Sequence, residues 1–260
     1  MKRIFLFIIL LGVIFYLTSN YYFNNGLIIN EYAIKSNRIT KGFDGFKIVH
    51  FSDLLIDNKT NMENINKIIE SINEQKPDVI VYTGDLFKRN ITKEKQNKLT
   101  ELLSKLECQY FKYAILGDHD NDTSNEILEN SNFKILDNNY DLIYQNDVDP
   151  IMILGGDNIR EIEIKDDAIY HIVLIHQPDY FKRVNDLDYE VFLAGHSLGG
   201  QIRIPLYGAL IKKTGAMEYT NSYYQKNGST MYVSYGIGNE KTNLRFLNKP
   251  SINIYRLYSK

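Results

Sequence analysis

Residues 190–201 read EVFLAGHSLGGQ and join a short apolar run to a glycine-rich loop that carries a histidine. The apolar run, residues 190–193, has the length and composition of a buried strand. Glycines in the loop allow tight turns that bring the backbone close to a ligand. His196 is therefore predicted to lie just beyond the carboxyl end of a strand, where open α/β sheets bind their ligands.

Four other apolar runs end in the same way, in a short loop with a carboxylate or a histidine. A single aspartate after a strand is more often a helix cap or a turn residue, but the recurrence favours one shared cluster. Carboxylates and imidazoles suit Mn, Fe or Zn rather than thiolate chemistry. These loops are Ser52-Asp53, Gly84-Asp85, Gly117-Asp118-His119-Asp120 and His176-Gln177.

The apolar patterns between these loops predict alternating strands and helices in the first half of the chain, and mainly strands after about residue 140. His50 and His171 lie inside or at the start of predicted strands, so we interpret them as structural. Strands are predicted at 47–51, 78–82, 110–116, 151–154, 170–175, 190–193, 231–234 and 252–257. Helix faces are predicted at Ile65, Ile68, Ile69 and Ile72, and at Leu99, Leu102, Leu103 and Leu106.

The N-terminal residues 1–23 are predicted to be a transmembrane anchor. The uncharged run Ile4 to Leu17 and the residues after it can just cross a hydrocarbon core, and the aromatic residues 21–23 suit the membrane interface. The absence of a small-residue cleavage site favours a retained anchor over the alternative, a cleaved signal peptide. Lys2 and Arg3 predict a cytoplasmic N-terminus and an extracytoplasmic domain, although basic residues at 35, 38 and 41 weaken that bias.

Composition sets the remaining limits. The chain has 260 residues, 44% of them hydrophobic, which fits one domain of residues 42–260 after the anchor and a polar linker of residues 24–41. The net charge of −2 argues against a nucleic-acid partner. A single cysteine excludes an internal disulfide and a zinc ribbon, and the oligomeric state is left open.

Taken together, the motifs resemble those of the calcineurin-like metallophosphoesterases, and in particular their membrane-associated bacterial branch. That family pattern is D-x-H, then G-D, then G-N-H-D/E, then a lone histidine, then G-H-x-H. The resemblance covers about residues 46–260 and implies a four-layer α/β/β/α sandwich with two mixed sheets. The matching segments are Ser52-Asp53-Leu54-Leu55, Gly84-Asp85-Leu86, Gly117-Asp118-His119-Asp120, His176-Gln177-Pro178-Asp179 and Gly195-His196-Ser197-Leu198-Gly199-Gly200-Gln201.

By this resemblance, two divalent metals would be held together by a bridging Asp85. The first would use Asp53, Asp85 and residues 55 and 198, which are leucines here and cannot ligate. The second would use Asp85, Asp118, His176 and His196, with Asp118 standing where the family has asparagine. The resemblance therefore implies one divalent metal per chain, with His119 as the acid that assists the leaving oxygen.

Two functions from different classes follow. The first is a metallophosphoesterase that hydrolyses a phosphomonoester or phosphodiester at the membrane, on a phosphorylated envelope or lipid substrate. The alternative is a catalytically impaired pseudoenzyme that binds a phosphorylated ligand or partner, which the leucines at 55 and 198 favour.

Overall fold

The computed structural model describes residues 1–145, 149–165, 167–240 and 242–260. The helices are α1 (Lys2–Leu17), α2 (Met62–Asn73), α3 (Lys93–Ser104), α4 (Asp122–Asn130) and α5 (Phe181–Val184), with 3₁₀ turns at Lys41–Phe43, Ile159–Glu161, Pro178–Tyr180 and Leu198–Gly200. The strands are β1 (Ile28–Ser36), β2 (Lys47–Phe51), β3 (Val79–Tyr82), β4 (Lys112–Ala114), β5 (Phe133–Ile135), β6 (Asn139–Ile143), β7 (Ile151–Gly155), β8 (Tyr170–Ile175), β9 (Val191–Ala194), β10 (Arg203–Ile204), β11 (Gly208–Ala209), β12 (Tyr223–Lys226), β13 (Ser229–Val233) and β14 (Ser251–Ser259).

Twelve of these strands form two mixed sheets of six. The first sheet has the order β1-β14-β2-β3-β4-β5, in which β2 to β5 run parallel and β14 is antiparallel to β2. The second has the order β12-β13-β9-β8-β7-β6, with β13, β9, β8 and β7 parallel and antiparallel strands at both edges. The central strands are covered on both faces, which explains why they read as continuous apolar runs.

The two sheets pack face to face and the helices cover their outer faces. Between the sheets, Val79 and Val81 of β3 share a core with Ile172 of β8 and Leu193 of β9. Helices α2, α3 and α4 cover the first sheet, whereas the described residues place α5 and short helical turns over the second. The predicted four-layer α/β/β/α sandwich with two mixed sheets is confirmed, including the thinning of helices in the second half.

The predicted helix faces are the buried faces of α2 and α3. Asn61 and Thr92 cap the two helices by accepting hydrogen bonds from backbone N–H groups of the first turn. Leu106 is buried as predicted but follows the end of α3 at Ser104. Helix α4 is not predicted by the sequence, because its nine residues carry too few apolar positions to give a clear period.

The stretch predicted as a polar linker, residues 24–41, contains the edge strand β1. This strand pairs in parallel with β14 from Ile28 opposite Ser251 to Ser36 opposite Ser259. The ring of Tyr32 stacks on Tyr255 with centroids 5.7 Å apart. The domain therefore begins before residue 42, and sequence analysis missed β1 because an edge strand leaves most of its side chains exposed and can be polar.

Helix α1 projects from the domain and continues through a π-helical turn at Thr18–Tyr22. The segment Lys2–Tyr22 is long and apolar enough to cross a membrane, with a mean hydropathy of 2.1 over its most apolar window, and very little of it is buried. Its end rests on the domain, where Phe15 and Phe23 both contact the ring of Phe246.

The extent of the domain can be tested with two truncated chains, one beginning at residue 26 and one at residue 42. The shorter chain loses β1 and the Tyr32 contacts, so its melting temperature should fall by about 5 °C or more, since 1 kcal/mol shifts a domain of this size by about 2–4 °C. Thermal unfolding followed by circular dichroism measures both. Equal melting temperatures would show that β1 is dispensable.

Candidate metal centre

The five motif loops meet at one end of the two sheets. Asp53, Asp85 and Asp118 follow β2, β3 and β4 of the first sheet, and His176 and His196 follow β8 and β9 of the second. The loops after β3 and β4 touch: a Cβ on Gly84 would lie 2.6 Å from the backbone nitrogen of Gly117. Gly84 also has φ +92°, so a side chain there would be both strained and obstructed.

Three side chains from both sheets converge in the middle of this end. Ligand atoms of Asp85, His176 and His196 all lie within 4.8 Å of one another, and all three residues are buried. Oδ2 of Asp85 lies 3.3 Å from Nε2 of His176, which lies 3.1 Å from Nδ1 of His196. Two imidazole nitrogens and a carboxylate oxygen therefore point at a common centre.

Backbone carbonyls fix which nitrogen each histidine turns toward that centre. Nδ1 of His176 donates to the carbonyl oxygen of Thr83 at 2.7 Å, and Nε2 of His196 donates to that of Thr214 at 2.7 Å. The other nitrogen of each ring faces the cluster. This is the arrangement by which proteins orient metal-binding histidines.

The ionisable groups of the cluster shift one another's pKa values. Burial opposes ionisation of Asp85, but its contact with His176 outweighs this and holds the pKa of Asp85 below its usual range. Burial also opposes ionisation of His176, but its contact with the Asp85 carboxylate outweighs this and raises the pKa of His176 to about 9. Burial, with Lys213 and His176 nearby, lowers the pKa of His196 to about 4, so His196 stays neutral at pH 7.

Asp118 lies at the edge of the cluster rather than in its centre. Its side chain is exposed, with Oδ2 3.4 Å from Nδ1 of His196. Both carboxylate oxygens accept hydrogen bonds from the amide of Gln177 at 2.8 Å. The structure thus brings Asp118 beside His196 but holds its carboxylate through Gln177.

Asp53 is completely buried beside the cluster. Its Oδ2 accepts a hydrogen bond from the backbone N–H of His196 at 3.0 Å, while Oδ1 accepts none from the described residues. Burial, together with the charge of Asp85, raises the pKa of Asp53 to about 6. A buried carboxylate with an unmet oxygen is costly, so nearby positive charge is needed to keep it ionised.

Leu55 and Leu198 fill the region around Asp53 with apolar atoms. Both are buried. A Cβ on Gly236 would lie 2.5 Å from Cδ2 of Leu198 and 2.9 Å from Cβ of Asp53, which places the two side chains side by side. Neither leucine has a ligand atom, so the part of the site assigned to the first metal offers only Asp53 and a share of Asp85.

The backbone around these leucines nevertheless adopts a conformation that leucine rarely takes. Leu55 has φ +47° and Leu198 has φ +49°, in the left-handed region, as do the candidate ligands Asp53, Asp85 and His196. Histidine, aspartate and asparagine enter this region more readily than leucine. Strain of this kind persists only where the surrounding structure imposes it, so the packing of these loops holds both leucines in the left-handed conformation.

Two cations that sequence analysis missed act on Asp53. Nζ of Lys213 is buried, lies 3.4 Å from the Glu240 carboxylate, and lowers the pKa of Asp53 by its charge. Burial lowers the pKa of the fully buried Arg245 to about 10, and the charge of Asp53 acts in the opposite direction without outweighing burial. Lys213 carried no signal in the sequence, and Arg245 lies in a segment, Leu244-Arg245-Phe246, that resembles the family but gave it no role, because both residues are brought to the site by loops far along the chain.

Arg245 also holds the loop that packs on the motif after β2. Its guanidinium donates to the carbonyl oxygens of Tyr235, Gly236 and Gly238 at 2.9, 3.2 and 2.6 Å. In turn, the N–H of Gly238 donates to the carbonyl oxygen of Asp53 at 2.7 Å. The position of Asp53 therefore depends on Arg245 as well as on its own strand.

Asp120 is a second organising residue, one whose role the sequence motif alone does not assign. Its carboxylate accepts hydrogen bonds from the N–H groups of Asp85, Leu86 and Gly117 at 2.7 to 2.8 Å. These bonds tie the loop after β3 to the loop after β4. Because one of these bonds comes from the N–H of Asp85, Asp120 fixes the backbone of a candidate ligand.

His119 is exposed at the rim of the site. Its backbone N–H donates to Oδ1 of Asp85 at 2.9 Å. His50 and His171, by contrast, do not belong to the cluster: His50 contacts Tyr255 and the hydroxyl of Thr83, whose carbonyl orients His176, and His171 pairs with Glu190. Their contacts are those of structural histidines.

The donor set fits a divalent transition metal. It offers a carboxylate and two oriented imidazoles in a buried position, with a further carboxylate, Asp118, at the edge. Such mixed oxygen and nitrogen ligands suit Mn, Fe or Zn. The fold and this cluster together define a layered α/β protein with a candidate divalent-metal centre.

Comparison with known proteins identifies the family within that class. The model of the calcineurin-like phosphoesterase domain matches residues 46–200. An uncharacterized metallophosphoesterase of Bacillus subtilis, YkuE, is 34% identical over 242 residues, which cover 88% of this chain and 85% of that protein. The chain belongs to the calcineurin-like phosphoesterase family.

Two further relatives carry names that state an activity. The UDP-2,3-diacylglucosamine pyrophosphatase LpxG of Chlamydia muridarum is 25% identical over 279 residues, covering 82% of this chain and 83% of that protein. The phosphodiesterase YaeI of Escherichia coli is 26% identical over 226 residues, covering 82% of each chain.

The role of Asp120 can be tested against Asp122, a carboxylate two residues away that is exposed in α4. Asp120→Ala releases the N–H groups around Asp85, so manganese affinity should fall by about 10–100-fold, the usual effect of losing a group that orients a ligand. Asp122→Ala should leave it unchanged. Calorimetric titration measures both, and Asp120→Asn, which keeps one acceptor oxygen, should lie between them. Equal affinity in all four proteins would contradict the assignment.

Proposed function

We propose that the protein is a metal-dependent phosphoesterase that works at a membrane surface with a single divalent ion. The observation that carries the proposal is the convergence of Asp85 Oδ2, His176 Nε2 and His196 Nδ1 on one centre. Membership of the calcineurin-like phosphoesterase family supplies the reaction class.

In this proposal, Asp85, Asp118, His176 and His196 hold the ion. When bound, it supplies positive charge that polarises a phosphoryl group and makes water more acidic. The protein contributes fixed ligand orientation through Thr83 and Thr214. His119, exposed at the rim, donates a proton or a hydrogen bond to the leaving oxygen, which is general acid catalysis.

The proposal of one ion rests on the surroundings of Asp53. A cation there would find only Asp53 and part of Asp85 as ligands, since residues 55 and 198 are leucines. Lys213 and Arg245 already bring positive charge to Asp53. An immobile cation can stabilise the carboxylate in place of a metal, but it cannot activate water, so turnover slower than that of a two-metal site is expected.

The substrate class is proposed from location and relatives. Helix α1 can span a membrane, and Lys2 and Arg3 before it favour a cytoplasmic N-terminus with the domain outside. LpxG is named for a nucleotide-linked diacylglucosamine, and YaeI for phosphodiester cleavage. These names support a phosphoester on a lipid or another envelope component.

A second candidate is a binding module without turnover. It is favoured by Leu55 and Leu198, which replace two ligands of the same ion while the other cluster stays intact. Such a protein would hold a phosphorylated ligand or partner at the Asp85 cluster. Metal stoichiometry together with hydrolysis of a phosphodiester distinguishes the two candidates.

The number of ions is the first test. Elemental analysis of the purified chain loaded with manganese should give one tightly bound ion, because one cluster among the described residues has enough ligands. His196→Ala should remove it. Asp53→Asn should leave it largely in place, since the amide oxygen can still accept the His196 N–H. Two ions per chain, or one ion lost in Asp53→Asn and kept in His196→Ala, would overturn the assignment.

Replacing both leucines with histidine tests whether the site can bind a second ion. Leu55→His with Leu198→His should add a second ion, because the backbone at both positions already has the conformation that suits histidine. Adding Lys213→Ala should tighten that ion further by removing a competing charge. Metal stoichiometry and hydrolysis of a chromogenic phosphodiester measure the effect, with either single histidine variant as the control.

The assignment of His119 separates catalysis from metal binding. His119→Ala should lower kcat by about 10²–10⁴-fold, the range for general acid–base help, with metal affinity unchanged because His119 is not a proposed ligand. His171→Ala, in a histidine held by Glu190 away from the cluster, is the control. Full activity in His119→Ala removes that residue from the mechanism, and a wild type inert towards every phosphoester and metal tried favours the binding module.

A further inference from the structure

A short hairpin exposes an unusual amount of apolar surface. We call residues 203–211 the apolar hairpin; it comprises β10, β11, the turn between them and two following residues. Leu206 is fully exposed, Tyr207 is about three-quarters exposed, and Ile204, Leu210 and Ile211 each expose about half of their surface. Single exposed apolar residues need no explanation, but a contiguous group of this kind marks an interaction surface.

The tip of the apolar hairpin is strained in a way that presents leucine to the outside. The N–H of Tyr207 donates to the carbonyl oxygen of Ile204 at 3.2 Å and closes a four-residue turn with Pro205 second and Leu206 third. Leu206 has φ +66°, where such turns normally carry glycine or asparagine. A large apolar side chain at this position contributes nothing to the fold, since it contacts solvent on all sides, so a function outside the domain accounts for it better.

The apolar hairpin lies next to the end of α1. The N–H of Arg203 donates to the carbonyl oxygen of Phe246 at 2.9 Å, and Ile202 forms a β-bridge with Phe246. The ring of Phe246 lies 4.8 Å from Phe15 and 5.3 Å from Phe23. Leu247, the next residue, is nearly half exposed and continues the apolar surface.

On its other side, the apolar hairpin packs against the loops of the candidate metal centre. Gly200, in the loop that carries His196, packs so closely on the hairpin that a Cβ would lie 2.4 Å from Cβ of Ala209. Beyond the hairpin, the carbonyl oxygen of Thr214 accepts the hydrogen bond that orients His196. The apolar hairpin thus connects α1 to the ligands of the candidate metal.

We propose that the apolar hairpin inserts into the lipid interface beside α1 and turns the metal centre toward the bilayer surface. The partner is a lipid bilayer, because the apolar surface is continuous with the membrane end of α1 through Phe246. Tyrosine and aliphatic side chains on an exposed turn suit that interface. The proposal rests on the membrane anchoring in the proposed function and adds the surface that sets the orientation of the site.

The chain has no tryptophan, so one introduced tryptophan reports on a single position. The full chain carrying Leu206→Trp is reconstituted in phosphatidylcholine–phosphatidylglycerol vesicles, with or without lipids brominated near the headgroup. Emission should shift to the blue on reconstitution and be strongly quenched by the brominated lipids. Phe111→Trp is the control: Phe111 is half exposed and precedes β4, at the opposite end of the sheet from the metal centre, and should not be quenched.

Tyr16→Trp, within α1, separates this proposal from membrane anchoring. Quenching at both 16 and 206 supports the hairpin. Quenching at 16 without quenching at 206 overturns the hairpin proposal and leaves the anchor standing, whereas none at either position overturns both. A blue shift at 206 that depends on protein density and not on bromination assigns the surface to a second copy of the chain, and also overturns the proposal.

Discussion

The buried contact between Asp85 and His176 joins the two halves of the molecule. Asp85 follows a strand of the first sheet and His176 a strand of the second, and their side chains meet at 3.3 Å. His176 also donates to the carbonyl oxygen of Thr83, so its ring is held by the loop of the opposite sheet. The geometry of the candidate metal centre therefore depends on how the two sheets lie against each other. At this end of the molecule, the contact between Asp85 and His176 helps to hold the two sheets together, in addition to the apolar contacts between them.

Around this bridge, the site separates into an intact part and an altered part. The intact part keeps oriented imidazoles and a carboxylate stabilised by them. The altered part keeps its aspartate and its left-handed backbone, but holds leucines and two neighbouring cations. Burial and Asp85 raise the pKa of Asp53 to about 6 and outweigh the nearby charges of His176 and Lys213, which lower it. The cations thus offset part of the cost of burying this carboxylate.

The sequence predicted the alternation of strands and helices and the meeting of the five loops because both follow from local patterns: apolar runs of strand length, and polar residues directly after them. The layered arrangement was predicted from the resemblance of the motifs to a known family. Edge strand β1 escaped prediction because most of its side chains are exposed, so polar residues interrupt its apolar ones. Lys213 and Arg245 escaped it for a different reason. Their roles arise from long-range packing: nothing next to Lys213 distinguishes it from a surface lysine, and the resemblance of Leu244-Arg245-Phe246 to the family does not say what Arg245 contacts. The conformation of Leu55 and Leu198 was equally hidden, since leucine gives no hint of a left-handed backbone.

The connection between α1 and β1 has a consequence for what the domain can touch. Only residues 23–27 separate the helical segment from the first strand. Five residues, fully extended, span at most about 18 Å. If α1 lies in a bilayer, this short connection holds the domain close to the membrane surface and prevents it from moving far away. A substrate that is itself held in the membrane would then reach the site by diffusing in the plane of the bilayer, whereas an enzyme on a long tether could reach other layers of a cell envelope.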